Sequence, residues 1–249
     1  MSDVETRPTP SADRAEWIRE LRRRDEEQED ALADVYDARW GEIEDTHRAF
    51  VERFLSMLPL RATVLDAACG TGTYFPLVLA SGRSVFGVDH SGACLATSAA
   101  KFADVPTAKC DLQDLPYVEE FYGVMCVDAM EFVPPEDWPA IMGRFRRALR
   151  RRGVLYLTIE LAPADQVLAL NEQARRSGVP VVDGEVFWDE PDGYYHHHPT
   201  MQRVRTWITD AGFAIQEEEE GPWHEEGYAY HHVLARSGDS PGSSGDSPG

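Results

Sequence analysis

Acidic residues stand at the ends of five short apolar segments in the middle of the chain. They are Asp66, Asp89, Asp111, Asp128 and Glu160. One acid at such a place is ordinary, because Asp is common in helix caps and turns. If the apolar segments are parallel strands, however, their carboxyl ends meet at one edge of a sheet, where α/β proteins bind ligands. The series therefore predicts a binding site for a polar ligand on that rim.

A glycine-containing turn follows the first of these acids, where residues 67–72 read AACGTG. Gly70 and Gly72 lack Cβ, so the backbone there can approach a ligand closely. Asp89 ends the second segment and is placed to accept both hydroxyls of a ribose, as in nucleotide-binding folds generally. Such a turn is a weak signal alone, because domains that bind nicotinamide dinucleotides share it.

The elements that must position these residues alternate between strands and helices. The predicted strands are Thr63–Leu65, Val85–Val88, Thr107–Cys110, Tyr122–Val127, Val154–Ile159, Phe213–Glu219 and Tyr228–Ala235, the last two joined by a turn near Gly221–Pro222. The predicted helices are Ala15–Val35, Ile43–Leu58, Tyr74–Ala80, Ser91–Phe102, Trp138–Arg150 and Pro199–Ala211. Strands that alternate with helices imply right-handed crossovers and a mostly parallel sheet. We therefore expect a doubly wound α/β fold.

Both ends of the chain are predicted to be disordered. Residues 1–11 are polar, and residues 237–249 read SGDSPGSSGDSPG, a composition that cannot form a core. Residues 12–236 are expected to form a single domain. Within it, residues 12–60 form an N-terminal helical cap, and residues 161–198 form an insertion that covers the substrate.

The charge of the chain limits the classes of partner. Acidic residues outnumber basic ones 44 to 24, and the formal net charge is −20. A surface this negative repels phosphate backbones, which argues against a nucleic-acid partner. The dense basic run between Arg146 and Arg152 is interpreted as a solvated helix end, where cations are favourable. The acidic run between Glu217 and Glu220 is interpreted as a solvated edge strand without a catalytic role.

The cellular location of the protein is inferred from the length of its apolar runs and from the spacing of its cysteines. No apolar run approaches the roughly 20 residues of a membrane span, and the N-terminus has no apolar signal core. Cys69, Cys94, Cys110 and Cys126 are far apart and form no CxxC pair. We expect a protein of the reducing cytoplasm without a membrane partner. The sequence leaves open whether the chain forms a homodimer.

Five segments together resemble a known family. VLDAACGTG at residues 64–72 resembles the first motif of the class I S-adenosylmethionine-dependent methyltransferases. VFGVDHS (85–91), CDLQDLP (110–116) and YGVMCVDAMEFVPPEDW (122–138) match the later motifs in order and spacing, and RRRGVLYLTIE (150–160) resembles the fifth-strand segment. The resemblance covers about residues 36–236. It implies a Rossmann-like, seven-stranded, mostly parallel sheet with an antiparallel C-terminal hairpin and N-terminal helices.

The resemblance also implies a reaction and a cofactor site. A methyl group would pass from S-adenosylmethionine to an oxygen, nitrogen or carbon atom of a small molecule, with S-adenosylhomocysteine as product. Separately, the chain has only two lysines, Lys101 and Lys109, among many arginines, which is typical of high-GC genomes, where enzymes of secondary metabolism are common. Asp66 would contact the methionine part, Asp111 the adenine amino group and Leu112 the adenine ring, while Tyr36 would close over the cofactor. The implied cofactor residues are Tyr36, Asp66, Ala67, Ala68, Cys69, Gly70, Gly72, Asp89, His90, Asp111, Leu112, Asp128, Ala129 and Met130. At Ala68 the family often has glycine, so this turn is slightly tighter here.

The acceptor is expected to bind in a segment rich in aromatic residues and histidine, between Asp183 and His198. The hairpin adds Trp223, His224, Tyr228, Tyr230, His231 and His232. Aromatic walls suit a flat or apolar acceptor of modest size. The predicted substrate-binding residues are Trp188, Tyr194 and His231, and the predicted catalytic residues are His196, Tyr195, His197 and Glu131.

The histidines allow three interpretations. One of them could act as a general base on the acceptor, as could Glu131, which could equally be a helix-capping acid. A second interpretation is structural. The third is a metal site, but the side chains of three consecutive residues such as 196–198 point in different directions and rarely bind one ion together, so no metal is predicted.

Two other functions compete with methylation of a small molecule. A cyclase or pericyclic catalyst can use the same fold and cofactor without methylating, because fold does not determine function. A macromolecule, protein or RNA, could also be the methyl acceptor, although it would need an open groove. Detection of S-adenosylhomocysteine as product separates the first alternative from methyl transfer.

Overall fold

The computed structural model describes residues 12–188, 193–222 and 229–238. The helices are α1 (Ala12–Leu32), α2 (Tyr36–Trp40), α3 (Asp45–Ser56), α4 (Phe75–Ala80), α5 (Gly92–Lys101), α6 (Trp138–Ala148), α7 (Ala164–Arg176) and α8 (Met201–Asp210). The strands are β1 (Thr63–Ala67), β2 (Ser84–Asp89), β3 (Thr107–Lys109), β4 (Phe121–Cys126), β5 (Leu149–Leu161), β6 (Glu185–Trp188), β7 (Tyr194–His197), β8 (Phe213–Pro222) and β9 (Ala229–Ser237).

Seven of the strands form one sheet in the order β3-β2-β1-β4-β5-β9-β8. Strands β1 to β5 are parallel to one another, and β9 is antiparallel to both β5 and β8. This confirms the predicted sheet and its C-terminal hairpin. The direction in which strands are added reverses between β1 and β4. At such a switch point the carboxyl ends of the strands border a crevice.

Helices cover both faces of the sheet, and their buried sides account for the apolar residues that recur at helical spacing in the sequence. On one face, α3 buries Phe50 and Phe54, four residues apart and fully buried. On the other face, α6 buries Trp138, Ile141 and Phe145, which lie on one side of a helix. The central strands are covered on both faces, so they appear in the sequence as continuous apolar runs rather than as alternating patterns.

Strand β5 begins earlier than predicted. The prediction continued α6 to Arg150, but the helix ends at Ala148 and Leu149 already pairs with Phe121 of β4. Leu149 is fully buried there, so its pairing with the first residue of β4 brings the chain into the sheet directly after α6. Arg150 to Arg152 therefore belong to a strand, and their interpretation as a helix end was wrong. Arg146 and Arg147 do lie in the last turn of α6.

The C-terminal hairpin is longer than predicted. The predicted turn near Gly221–Pro222 was wrong, because both residues belong to β8 and pair with Tyr230 and Ala229. Gly221 lies so close to α3 that a Cβ would be 2.4 Å from Thr46 Cγ2. Trp223, His224 and Tyr228, which the prediction placed in the hairpin, lie outside the described residues.

The end of the domain also differs from the prediction. Ser237, predicted to begin the tail, is the last residue of β9 and is 2% exposed. The N–H of Gly238 donates to the carbonyl of Gly212 at 3.0 Å. The rest of the predicted tail and the predicted disordered residues 1–11 lie outside the described residues.

The segment predicted to cover the substrate contains helix α7 and a separate two-stranded sheet, β6–β7. In this hairpin Glu185 pairs with His197 and Trp188 pairs with Tyr194. Arg14 of α1 ties the hairpin to the N-terminal cap through the Glu185 carboxylate. Among the described helices, none is both long enough and apolar enough to cross a membrane.

Candidate active site

A cavity of about 410 Å³ lies at the carboxyl ends of the parallel strands. Its walls come from the ends of β1, β2, β4 and β5, from α1 and α2, and from the β6–β7 hairpin. The predicted site residues that line it are Tyr36, Ala68, Cys69, Gly70, Asp89, His90, Asp111, Leu112, Asp128, Ala129, Glu131, Trp188, Tyr194 and His196. The fold thus brings the predicted cofactor residues and the predicted acceptor residues to one cavity.

The carboxylate of Asp89 organises the turn after β1. Its Oδ2 accepts the N–H of Gly70 at 2.8 Å, and its Oδ1 accepts the N–H of Ser91 at 2.8 Å. Burial raises the pKa of Asp89, while the backbone donors and His90 oppose the rise. Because each carboxylate oxygen can accept more than one hydrogen bond, both can still meet a ligand.

The same turn requires left-handed backbone conformations. Gly70 and Gly72 have φ of 50° and 85°, and Ala68 has φ of 66°. For a residue with a Cβ this conformation costs roughly 1–2 kcal/mol. The departure from the family pattern at Ala68 therefore falls at a position where glycine would remove strain.

Helix α1 contributes a wall that the sequence interpretation missed. Arg22, Asp25, Glu29 and Leu32 line the cavity. Their spacing of three, four and three residues places them on one helical face, which is the signal that could have identified them. Burial raises the pKa of Asp25 to about 6 and that of Glu29 to about 7.

His90 faces this acidic wall from the end of β2. Its Nδ1 lies 3.8 Å from Asp25 Oδ2. Burial alone would lower the pKa of His90, but the carboxylates of Asp25, Asp89 and Asp111 raise it above the ordinary value. The carboxyl groups of Asp25, Asp89 and Asp111 thus interact electrostatically with the one imidazole among them, that of His90.

Asp128 is held in place at the end of β4 by residues from two other elements. Its N–H donates to Thr158 Oγ1 at 2.8 Å, and its Oδ1 accepts from the same hydroxyl at 3.2 Å. His47 Nε2 of α3 lies 3.0 Å from the same carboxylate oxygen. Asp128 itself has φ of 51°, a conformation that Asp tolerates better than most residues. The sequence interpretation missed both His47 and Thr158.

Glu131 forms a buried part of the cavity wall. It is 4% exposed, and its Oε1 accepts from the Tyr230 hydroxyl at 3.3 Å. Its Oε2 has no hydrogen-bond partner among the described residues. Burial, together with the nearby carboxylates of Glu160 and Asp128, raises the pKa of Glu131 well above its usual range. Its neutral form can donate a hydrogen bond into the cavity.

His196 of β7 and Glu160 of β5 form a close pair in the wall of the cavity. His196 Nδ1 lies 2.6 Å from Glu160 Oε2, and both residues line the cavity. The ring of Phe132 packs edge-on against the imidazole, with ring centroids 4.9 Å apart. Because Nδ1 is engaged by the carboxylate, Nε2 is the ring nitrogen that remains for another ligand.

Comparisons with known proteins agree with this geometry. Residues 64–153 match the family model described as a methyltransferase domain. Solved structures of S-adenosylmethionine-dependent methyltransferases have the same fold: one from Methanosarcina mazei (TM-score 0.63, 16% identity, 74% of this chain and 96% of that chain covered) and one from Clostridium acetobutylicum (0.62, 15%, 84% and 98%). The cyclase SpnF is also similar (0.59, 14%, 80% and 85%). Among curated proteins, no sequence matches the chain.

The chain therefore has the fold of S-adenosylmethionine-dependent methyltransferases, and its residues 64–153 match a methyltransferase domain. The family match ends at residue 153, so it includes the turn after β1, Asp89 and Asp111 but not the β6–β7 hairpin. The predicted acceptor residues Trp188 and Tyr194, which belong to this hairpin, therefore lie outside the matched residues. The likeness to the two solved structures covers 74% and 84% of this chain, at identities that establish the fold alone.

Two predicted catalytic residues, Tyr195 and His197, do not line the cavity. The Tyr195 hydroxyl donates to Glu185 Oε1 at 2.6 Å, and its ring packs against Trp17 with centroids 6.0 Å apart. His197 is 3% exposed beside Trp138, and burial lowers its pKa to about 3. Successive residues of a strand point to opposite sides, so these two neighbours of His196 point away from it or into the core.

Four other predicted site residues lie outside the cavity lining. Met130 is fully buried in the core, Ala67 is fully buried in β1, and Gly72 is packed against Phe75. His231, predicted to bind substrate, instead places Nε2 3.0 Å from Glu218 Oε2 of the edge strand. None of these four residues is among those that line the cavity.

Asp66 is buried near the carboxyl end of β1. It is 1% exposed, it is not among the residues that line the cavity, and its Oδ2 has no partner among the described residues. Burial raises its pKa to about 8. In an unfolded chain the pKa of Asp is about 3.9. The ligand-free folded state thus holds a proton here that the unfolded state has lost.

Replacement of Asp66 by Asn should make the ligand-free domain less sensitive to alkaline pH. Between roughly pH 4 and pH 8 the folded state binds more protons at this site than the unfolded state, so stability falls as pH rises. An amide does not ionise and avoids this loss. We expect Tm of Asp66→Asn, relative to the unchanged protein, to increase from pH 5 to pH 8 in thermal unfolding followed by circular dichroism. A Tm difference that is the same at both pH values would contradict the raised pKa.

Proposed function

We propose that this protein transfers the methyl group of S-adenosylmethionine to a nucleophilic oxygen or nitrogen, or to a carbon, of a small molecule. The observation that supports this most strongly is the shared cavity, which joins the Asp89-bound glycine turn to the His196–Glu160 pair. The glycine turn suits the binding of the methyl donor. The His196–Glu160 pair suits an acceptor that must lose a proton. The family match to a methyltransferase domain supports the donor half.

The cofactor would lie along the rim from β1 to β4. Asp89 would accept the ribose hydroxyls, Asp111 the adenine amino group, and Leu112 would lie beside the adenine ring. The backbone of Ala68, Cys69 and Gly70 would border the methionine part, and Asp66 would support this turn from its buried position beneath it. Asp128 and Ala129 would lie next to the sulfonium. Tyr36 would cover the bound cofactor, and His90 would also contact it.

The electrostatics of the cavity favour this donor. Eight carboxyl residues and one arginine are among its lining residues. The carboxyl residues are Asp25, Glu29, Glu42, Asp89, Asp111, Asp128, Glu131 and Glu160. S-adenosylmethionine carries positive charge on its sulfonium and ammonium groups, so a wall of acids attracts it at long range. S-adenosylhomocysteine lacks the sulfonium charge and would be held less strongly by the same field.

The reaction would be an in-line displacement. A lone pair of the acceptor forms a bond to the methyl carbon, the carbon–sulfur bond breaks, and its electron pair stays on sulfur. The acceptor proton passes to Nε2 of His196, and Glu160 stabilises the resulting imidazolium through Nδ1. Alignment of donor and acceptor can supply roughly 7–11 kcal/mol of the barrier reduction, and a general base a further factor of about 100 to 10,000 in rate. Neutral Glu131 would orient the acceptor by donating a hydrogen bond.

A small-molecule acceptor fits the enclosure better than a macromolecule. Helix α1 and the β6–β7 hairpin both line the cavity, and its volume of about 410 Å³ falls within the range of small-ligand sites. Trp188 and Tyr194 supply aromatic walls. A flat or apolar acceptor with a hydroxyl or amine directed at His196 is the class that these walls favour.

Replacement of Asp89 by alanine tests the donor half of the proposal. We expect calorimetric titration to give micromolar binding of S-adenosylmethionine and a loss of more than about tenfold, or roughly 1.4 kcal/mol, in Asp89→Ala. The variant removes the ribose acceptor and also the anchor of the Gly70 N–H. Asp183→Ala is a matched control, because the Asp183 side chain is fully exposed. If neither S-adenosylmethionine nor S-adenosylhomocysteine binds to the folded, unchanged protein, the proposed function is wrong.

Formation of S-adenosylhomocysteine tests the transfer itself. The fold is shared with the cyclase SpnF, so the fold does not decide between methylation and cyclisation. Candidate acceptors incubated with S-adenosylmethionine should yield S-adenosylhomocysteine and a methylated product in equal amounts. Conversion of an acceptor without S-adenosylhomocysteine would instead support the cyclase function.

A further inference from the structure

Three side chains with metal-binding atoms meet at the hairpin side of the cavity. Glu160, His196 and His198 each place one such atom within 4.8 Å of the atoms of the other two. Glu160 Oε2 lies 2.6 Å from His196 Nδ1 and 3.8 Å from His198 Nε2. The carboxylate thus lies between two imidazoles, which is the ligand set of many divalent metal sites.

Strand geometry explains this convergence. His196 and His198 are two residues apart on an extended chain, so both point to the same side, while His197 points to the core. Glu160 lies near the end of β5 and faces them. Three consecutive histidines rarely bind one ion together, because their side chains point in different directions. Two alternate ones can, when a third ligand comes from another element.

The second imidazole carries an unsatisfied nitrogen. His198 Nδ1 lies 3.4 Å from the carbonyl oxygen of Glu160, so Nδ1 is the protonated nitrogen and donates. This leaves a lone pair on Nε2, which has no hydrogen-bond partner among the described residues although the side chain is only 6% exposed. A buried polar atom without a partner costs roughly 1–3 kcal/mol. A donor bond from the far ring nitrogen to a carbonyl is also the usual outer contact of a metal-binding histidine.

The surroundings favour a cation. Glu131 and Asp128 interact electrostatically with each other, and Glu131 also interacts with Glu160. The ring of Trp188 lies beside both imidazoles, with centroids 6.4 Å from His196 and 5.8 Å from His198. The negative charge of these nearby carboxylates would attract a divalent ion. The Trp188 ring would limit the contact of that ion with water.

We propose that Glu160, His196 and His198 bind one divalent transition-metal ion of the zinc or cobalt type. This inference deepens the proposed function and rests on it, since the ion would bind the acceptor. Three protein ligands leave a coordination position open, and Glu160 and His196 border the cavity on that side. The acceptor class is then a molecule with a hydroxyl, carboxylate or thiol donor. With the ion present, His196 is a ligand, and the ion lowers the pKa of the bound donor, whose proton passes to water.

The test uses untagged, full-length protein freed of metal by a chelator and then titrated with Co²⁺ and with Zn²⁺. We expect saturable binding of one ion per chain and visible Co²⁺ absorption bands of a low-coordinate site. His198→Ala and His198→Gln should each weaken binding at least tenfold, and His231→Gln should leave it unchanged. Circular dichroism shows whether each variant is folded. The absence of saturable Co²⁺ binding, or equal binding in the His198 variants, would overturn the proposal.

Failure of the metal site is distinguishable from failure of methyl transfer. If the ion does not bind, calorimetric binding of S-adenosylmethionine and formation of S-adenosylhomocysteine remain as expected, and chelator leaves turnover unchanged. If the proposed function fails, S-adenosylmethionine does not bind, whatever Co²⁺ does. The Co²⁺ spectrum is measured without turnover, so the two results are independent.

Discussion

Replacement of His196 by glutamine is expected to lower kcat for methyl transfer by about two to four powers of ten. The substitution keeps the size of the side chain and a hydrogen-bonding group for Glu160 Oε2, which lies 2.6 Å from the imidazole. It removes the nitrogen that would accept the acceptor proton or bind the proposed ion. The cofactor residues are untouched, so the affinity for S-adenosylhomocysteine should change by less than about twofold. Single-turnover rates and calorimetric titration measure the two effects separately.

The matched control for this prediction is His231→Gln. His231 is also a largely buried histidine near a glutamate, but its partner is Glu218 on the edge strand, and it does not line the cavity. We expect its kcat to remain within about twofold of the unchanged protein. Equal losses of kcat in both variants would indicate a general effect on folding. An unchanged kcat in His196→Gln would remove His196 from the mechanism.

His198→Ala adds a test that separates base catalysis from metal catalysis. If His196 acts alone as a base, His198→Ala should retain most of the activity of the unchanged protein, because His198 does not line the cavity. If the three residues hold an ion, both variants should lose activity and only the unchanged protein should respond to a chelator.

Replacement of Arg14 by alanine is expected to reduce the free energy of unfolding by about 3–5 kcal/mol. The Arg14 side chain is 7% exposed, and that of Glu185 is fully buried. Arg14 donates to Glu185 at 2.8 and 2.5 Å, to Glu136 twice at 3.0 Å, and to the carbonyl of Pro180 at 2.8 Å. Its loss leaves the Glu185 carboxylate buried with only the N–H of Val182 and the Tyr195 hydroxyl as donors. Urea unfolding followed by circular dichroism measures the change.

The control for Arg14 lies on the same helix. Arg23 pairs with Glu20 and Glu27, but all three side chains are more than half exposed. Such surface ion pairs contribute little, because water screens them. We expect Arg23→Ala to leave the free energy of unfolding nearly unchanged. A similar loss in both variants would contradict the special role of burial at Glu185, as would an unaltered stability of Arg14→Ala.

Arg14 also connects stability to the proposed function. Through Glu185 it joins α1, which carries Asp25 and Glu29 into the cavity, to the hairpin that carries His196. Loss of this link should therefore loosen both walls of the cavity. The binding of S-adenosylmethionine to Arg14→Ala, measured below its unfolding transition, is expected to weaken in parallel.

The sequence by itself was sufficient to predict the central sheet and the series of acidic residues at the carboxyl ends of its strands. Buried parallel strands appear as short apolar runs, and each ends at a polar residue because the chain leaves the core there. Asp89 and Asp111 could therefore be placed at strand ends on one rim of the sheet without coordinates. These relations depend on local periodicity and on the handedness of crossovers, which the order of residues determines.

Only the tertiary structure decided which residues of the N-terminal cap and the hairpin reach the cavity. The alternation of Tyr195, His196 and His197 is visible in the sequence, but which side of the hairpin faces the site depends on how Arg14 and Glu185 anchor it. For the same reason the sequence grouped Tyr195 and His197 with His196, although neither of the two lines the cavity. Their directions follow from contacts between residues far apart in the chain, and no local pattern encodes those contacts. The approach of His198 to Glu160 likewise required the packed hairpin, because a strand from the central sheet supplies the third ligand.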